Sequence, residues 1–220
     1  IRDSLRNSIQ TVIISKGITS IGYNTFAFCD NLSSVSLPDS LIHIDEYAFS
    51  SCTSLKNIII PESVTTIGEY AFYGCSGLKS ITIPEGVTAI DEYTFFYCSG
   101  LASVTIPRSV ISIRANAFAH SGLTSIKIPG SVTSVGDSAF LHCSKLSSII
   151  IPKSVTTIGN RAFYGCSGLE KTYYLGKEDD WKNVTVGINN SNLTDCLVFV
   201  SVLMFADDSG YSIGEYNGHK

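Results

Sequence analysis

The stretch "GLKSITIPEGVTAIDEYTFFYC", Gly77 to Cys98, sets an alternating apolar run before a proline, then a second apolar pair, then a Phe and a Cys at fixed offsets. It recurs along the chain. Aligned on L-x-S-[IV]-x-[IL]-P, copies open at Ile9, Leu32, Leu55, Leu78, Leu101, Leu123 and Leu146, and Leu169 opens a degenerate eighth. The period is 23 residues, once 22. All six prolines (Pro38, Pro61, Pro84, Pro107, Pro129, Pro152) share one column, with Ser15 in the first copy. Another column is entirely Phe: Phe26, Phe49, Phe72, Phe95, Phe118, Phe140 and Phe163. Six of the seven cysteines share a third, and the short copy drops it at His120 and Ser121. A fixed period between about 20 and 50 residues marks a solenoid, propeller or array. That overrides the one or two ordinary domains expected of 220 residues.

Within a copy, alternation in "SITIP" predicts a strand with Ile81 and Ile83 inward and Ser80 and Thr82 outward. Proline ends it, having no N–H to give to a ladder. The piece "EYTFFYC" is expected to be a tight helical or 3-10 turn that carries Phe95 inward. Gly22, Gly68, Gly136 and Gly159 fit a sharp corner. Single coils cannot bury enough surface to stand alone, so neighbours must stack and the ends need caps.

This pattern resembles the leucine-rich repeats, specifically the BspA-like (treponemal) class, in every copy from Ile9 to Leu169. Asp45, Asp91 and Arg114 replace its usual Gly, Thr25 and Thr94 replace the Ala before Phe, and one Cys is deleted. The stretch from Tyr173 to Leu193 looks like the closing segment that often follows such arrays. The resemblance implies a cell-surface or extracellular location and recognition of other molecules, host proteins being a frequent proposal. The resulting expectation is an α/β solenoid: a leucine-rich-repeat array of seven coils of 22–23 residues over residues 9–168, with short strands and 3-10 or helical turns. A partial coil at 1–8 precedes it, and a C-terminal capping segment, 169–220, follows, with Trp181 sealing Phe163 and Leu169.

Net charge is −4, which gives no global argument for nucleic acid or an anionic membrane. The run Cys196–Ala206 is too short to span a bilayer and reads as a buried strand of the cap. Stacked in register, the column cysteines would hold their Cβ atoms about 4.8 Å apart, whereas a disulfide wants about 3.8 Å. They are expected to be buried small hydrophobes, with Cys196 lacking an evident partner. No C-x-x-C, H-E-x-x-H, G-x-S-x-G or phosphate-loop motif occurs, so neither catalysis, nor a metal, nor a cofactor is expected. The acidic stretch Asp207–Glu215 lacks the alternating oxygen ligands of a calcium loop.

What varies between copies is the outer surface. Outward strand positions, among them Asn57, Ile59, Thr82, Thr105, Lys127 and Ile150, form a small, hydroxylated face with isolated apolar spots. Glu46-Tyr47, Glu69-Tyr70 and Glu92-Tyr93 recur in three successive copies, and the corresponding region turns basic toward the C-terminus at Arg108, Arg114, Lys153 and Arg161. These twelve strand and Glu-Tyr positions are the candidate partner-binding residues. The first reading is a noncatalytic protein-recognition or adhesion module that binds another protein. A glycan-binding module using Tyr47, Tyr70 and Tyr93, and a structural spacer within a larger surface protein, are the alternatives.

Overall fold

The computed structural model of the chain describes residues 3–200. Each "SITIP"-type segment lies beside the next one in parallel register, so that Thr11 faces Ser34, Ser80 faces Ser103, and Ser125 faces Ser148, which faces Lys171. A second parallel row runs through the short pair that follows the proline column, paired in two sheets: Ser20–Ile21, His43–Ile44 and Thr66–Ile67 in one, and Ala89–Ile90, Ser112–Ile113, Ser134–Val135, Thr157–Ile158 and Thr185–Val186 in the other. Its eight strands mark eight turns rather than seven, because the segment after Leu169 continues both ladders through Lys171–Leu175 and Thr185–Val186. The fold is a parallel β-solenoid.

The expected α/β character is absent from the repeats. Among the described residues the helices are Asp3–Arg6, Glu178–Trp181 and Ser191–Thr194, all near the two ends. The reason lies in the turn. Tyr93 and Tyr97 both sit at φ 57°, in the left-handed region, and alternate N–H groups point in different directions. Those of Tyr93, Phe95 and Tyr97 donate to the carbonyls of Ala115, Ala117 and Ala119 in the next coil, at 3.2, 2.8 and 2.9 Å, while those of Phe96 and Cys98 donate back to Tyr93 and Phe95. A helix keeps every N–H on its own axis with uniform right-handed dihedrals. Here half the donors are exported, and the turn becomes a third intercoil ladder.

Inside it, the Phe column is a single stack of rings. Centroids from Phe26 to Phe163 are 5.0–5.6 Å apart and the planes tilt by 7–13°. Beneath the rings the thiols of Cys52, Cys75, Cys98, Cys143 and Cys166 each donate to the carbonyl of the Phe one coil earlier, at 3.0–3.2 Å. Among the described residues all cysteines are free. The short coil does not lose this column. Ser121 fills the Cys position, 5% exposed, with its hydroxyl 3.3 Å from Cys143 Sγ, and the deleted residue follows it. At Gly68, Gly136 and Gly159 the coil below comes close: a Cβ on Gly68 would lie 2.8 Å from the Glu46 backbone nitrogen, whereas one on Gly22 would meet only the Thr25 hydroxyl at 3.7 Å.

The ends are closed by side chains. In the turn ladder each coil donates forward, which orphans carbonyls in the first coil and N–H groups in the last. Arg6 donates to the carbonyls of Ala27, Thr25 and Asn24. At the other end the Asn190 and Asn192 side-chain oxygens accept from the N–H groups of Phe163 and Gly165, at 3.0 and 3.1 Å. Trp181 packs edge-on against the buried Tyr174, with ring centroids 5.0 Å apart, so its ring partner is not Phe163. Leu197–Phe199 does form a strand, pairing with Lys171–Leu175, but Val198 and Phe199 are exposed rather than buried. Cys196 is half-buried and free, as expected, its thiol hydrogen-bonded to the Asn192 carbonyl at 3.2 Å and 3.3 Å from the Thr172 hydroxyl. The expectations for Ser201–Ala206 and Asp207–Glu215 lie outside the described residues. No helix among the described residues is long and apolar enough to cross a membrane.

Candidate functional site

Three surfaces carry the candidate residues, each produced by one column of the repeat. The first is the Glu-Tyr column. Glu46, Glu69 and Glu92 hold the residue before the left-handed position, and Tyr47, Tyr70 and Tyr93 hold that position itself, at φ 56–57°. The three phenol rings stack on one another with centroids 4.6 Å apart and planes within 6°. Both faces of Tyr70 are therefore covered, and Tyr23 meets Tyr47 edge-on. Beside the rings the carboxylates line up one above another. Burial first, and then Glu92, Glu46 and Asp91, push the Glu69 carboxyl above its ordinary range. Arg114 closes the column from the C-terminal side, its guanidinium 2.8 Å from Asp91 Oδ1. That oxygen is buried and accepts no hydrogen bond, so proximity of charge alone compensates it.

The strand face is the second surface. Asn57, Ile59, Thr82, Thr105 and Lys127 are exposed on it and Ile150 is half-buried. Ile13 and Ile59 protrude most, at 78% and 85% exposure. Residues 57–59 lie in the row without forming a regular strand. The face is not uniform: Thr105, Lys127 and Ile150 line a groove of about 920 Å³ that Asn57, Ile59 and Thr82 do not reach. Val104, Ile106, Ile128, Pro129, Pro152 and Leu175 supply its apolar lining, and Arg108 and Lys153 join Lys127 as its cations. Lys153 also meets Asp180 at 3.1 Å.

A third surface escapes the sequence reading. The second left-handed position of each turn and its neighbours build a strip in which Tyr73 stacks on Phe96, Tyr97 on His120, His120 tilts against His142, and His142 meets Tyr164 edge-on. Burial, then His142, lowers the basicity of His120. The only signal for it is positional, since the column reads Phe28, Ser51, Gly74, Tyr97, His120, His142 and Gly165 and shares no chemistry. No group of His, Cys, Asp or Glu among the described residues is arranged to hold a metal ion. Burial drives the column thiols up, Cys98 to about 12 and Cys143 to about 11, which holds them as thiols rather than nucleophiles.

A solenoid of parallel coils with a Phe stack, a Cys ladder and a Pro corner defines a repeat protein of the leucine-rich type. The match to the BspA type leucine rich repeat region, in six copies over residues 5–121 and 65–183, is more specific, and the chain belongs to that family. Among solved structures it is similar to a leucine-rich repeat protein from Bacteroides ovatus, with 28% identity over 88% of this chain and 63% of that one, and a TM-score of 0.51. It is also similar to the leucine rich repeat protein of T. pallidum, with 25% identity over 85% and 79%, and a TM-score of 0.53. A leucine rich cell surface protein of Faecalibacterium prausnitzii shares 30% identity over 83% and 64%, with a TM-score of 0.43. The chain thus spans less than two thirds of the length of the F. prausnitzii and B. ovatus proteins. A search of curated proteins returned no match.

Proposed function

We propose that this chain is a noncatalytic protein-recognition module of a bacterial cell-surface or secreted protein. The observation that carries the reading is the strand face: a long row of small outward side chains, interrupted by protruding isoleucines, on a scaffold whose polar backbone is already paired coil to coil. Such a face offers contact area without conformational cost, since its side chains have few rotamers to lose. The Glu-Tyr column is the second contact in this proposal, a seat for basic side chains, because three like carboxylates in register gain from an arriving cation. The surface or extracellular location rests on the family. Glycan binding through the tyrosines is the weaker reading, since a sugar stacks on a ring face and those of Tyr70 are occupied by its neighbours. The test is binding of the purified chain to arrays of extracellular proteins and of glycans at low and physiological salt, with Glu46, Glu69 and Glu92 reversed to Lys as control. Protein hits that weaken with salt and with the reversal are expected. Hits on glycans alone would replace this reading with the glycan one, and silence on both arrays would replace it with a spacer.

A further inference from the structure

We infer that the groove on the C-terminal part of the strand face is a docking site for an extended acidic peptide segment of a partner protein, an inference that rests on the protein-recognition reading and names its ligand. Its floor is apolar, with Ile128 buried beneath it, Ile150 half-buried on its wall and Leu175 at one end. Above that floor the cations Arg108 and Lys153 stand on the position that follows the proline, one on each side of Gly130, Lys153 also meeting Asp180 at 3.1 Å, and among the described residues the groove's own lining holds no carboxylate. The same position carries Asp39, Glu62 and Glu85 in earlier coils. An acidic segment is therefore attracted at one end of the row and repelled at the other, which fixes where it lies. Gly130 leaves the centre open: a Cβ built on it meets nothing within 4 Å. A hydrophobic floor under a basic rim matches a strand-like peptide that alternates apolar and acidic side chains, with one set facing down and the other meeting the cations. A sulfated polysaccharide would use the rim and leave the floor unfilled.

The experiment uses the full chain and three fluorescein-labelled octapeptides, alternating Val with Glu, with Gln or with Lys, read by fluorescence anisotropy. Only the Glu peptide is expected to bind, more weakly as salt rises, with a roughly tenfold loss for Arg108→Glu and for Gly130→Trp. Both substitutions are at open positions, so unchanged unfolding curves accompany the loss. The inference is overturned if the Gln peptide binds as tightly as the Glu peptide, or if both variants bind like the parent chain. It is also overturned if heparin binds more tightly than the Glu peptide and is indifferent to Gly130→Trp. A protein partner whose binding survives both variants would leave protein recognition standing and remove the groove from it. Peptide binding without any hit on the protein arrays would do the reverse.

Discussion

Replacing Tyr70 by Ala and by Gly separates two opposing effects that the turn combines. At φ 57° the Tyr70 backbone is in the left-handed region, which costs a non-glycine residue about 1–2 kcal/mol. Its ring meets two others at 4.6 Å, and each such pair is worth about 0.5–1.5 kcal/mol beyond area. Ala removes both stacking contacts and keeps the backbone cost, so Tyr70→Ala is expected to destabilise by about 2 kcal/mol. Gly removes the same contacts and relieves the dihedral, against an extra loss of about 0.5–1 kcal/mol in chain entropy. Tyr70→Gly should therefore be more stable than Tyr70→Ala by about 0.5–1 kcal/mol, the inverse of the usual order. Urea unfolding at matched slopes reads this directly, as a higher midpoint for the Gly variant. An Ala variant as stable as the Gly variant, or more so, would refute the left-handed turn and with it the alternating ladder that replaces the helix.

At pH 8, Ellman's reagent should titrate Cys196 rapidly and the six column cysteines only after denaturant, because burial holds the latter as thiols; several fast thiols in the native chain would contradict the ladder. The folded chain holds the Glu69 proton more tightly than the unfolded one, so stability should rise as pH falls from neutral toward the ordinary value of 4.5, the penalty on the ionised column being lifted. Glu69→Gln should be the more stable chain at pH 7 and should flatten that rise, and a stability that falls over the same interval in both chains would show that other carboxylates dominate. Asn190→Ala should orphan the Phe163 N–H and the Gly159 and Gly187 carbonyls, at about 1–3 kcal/mol for each unsatisfied group. Hydrogen exchange should then show opening of the last coil with the central coils unchanged, whereas uniform loss of protection would count against a local cap.

The columns were readable because a solenoid repeats its environment. Phe, Pro and Cys recur wherever the same cavity, corner or carbonyl recurs, and one aligned copy describes all of them. What the columns do not encode is the backbone between them. The left-handed positions hold Tyr, Asn, Phe, Ser, Arg, His and Gly in different coils, a mixture in which Asn and Gly favour positive φ and Tyr, Phe, Ser and Arg do not, so "EYTFFYC" reads as a helical turn until its N–H partners are seen. Glycine at Gly68 looks like a hinge for the same reason, since close approach and left-handed φ both select for a missing Cβ. The candidate site was legible as a list of outward positions but not as a partition. Glu46 to Tyr93 became a closed aromatic stack, while Thr105, Lys127 and Ile150 fell together with Arg108, Lys153 and Leu175, because groove walls come from three coils and a cap.

The last copy looks degenerate because its task differs. In the strand ladders N–H groups are donated in both directions, backward as from Ser33 to the Gln10 carbonyl and forward as from Ile14 to the Ser36 carbonyl, whereas the turn ladder donates forward, as from Phe95 to the Ala117 carbonyl. The two ends of the stack are therefore chemically unequal in the turn. Its first coil presents bare carbonyls, which need a donor, and Arg6 has several donors on one planar head. Its last coil presents bare N–H groups, which need acceptors at the coil spacing, and the Asn190 and Asn192 amides supply oxygens two residues apart, as backbone carbonyls would. A perfect eighth copy could supply those acceptors only by exposing its own N–H groups in turn. Termination requires that the repeat be broken, and the departures from the consensus after Leu169 are the form that break takes.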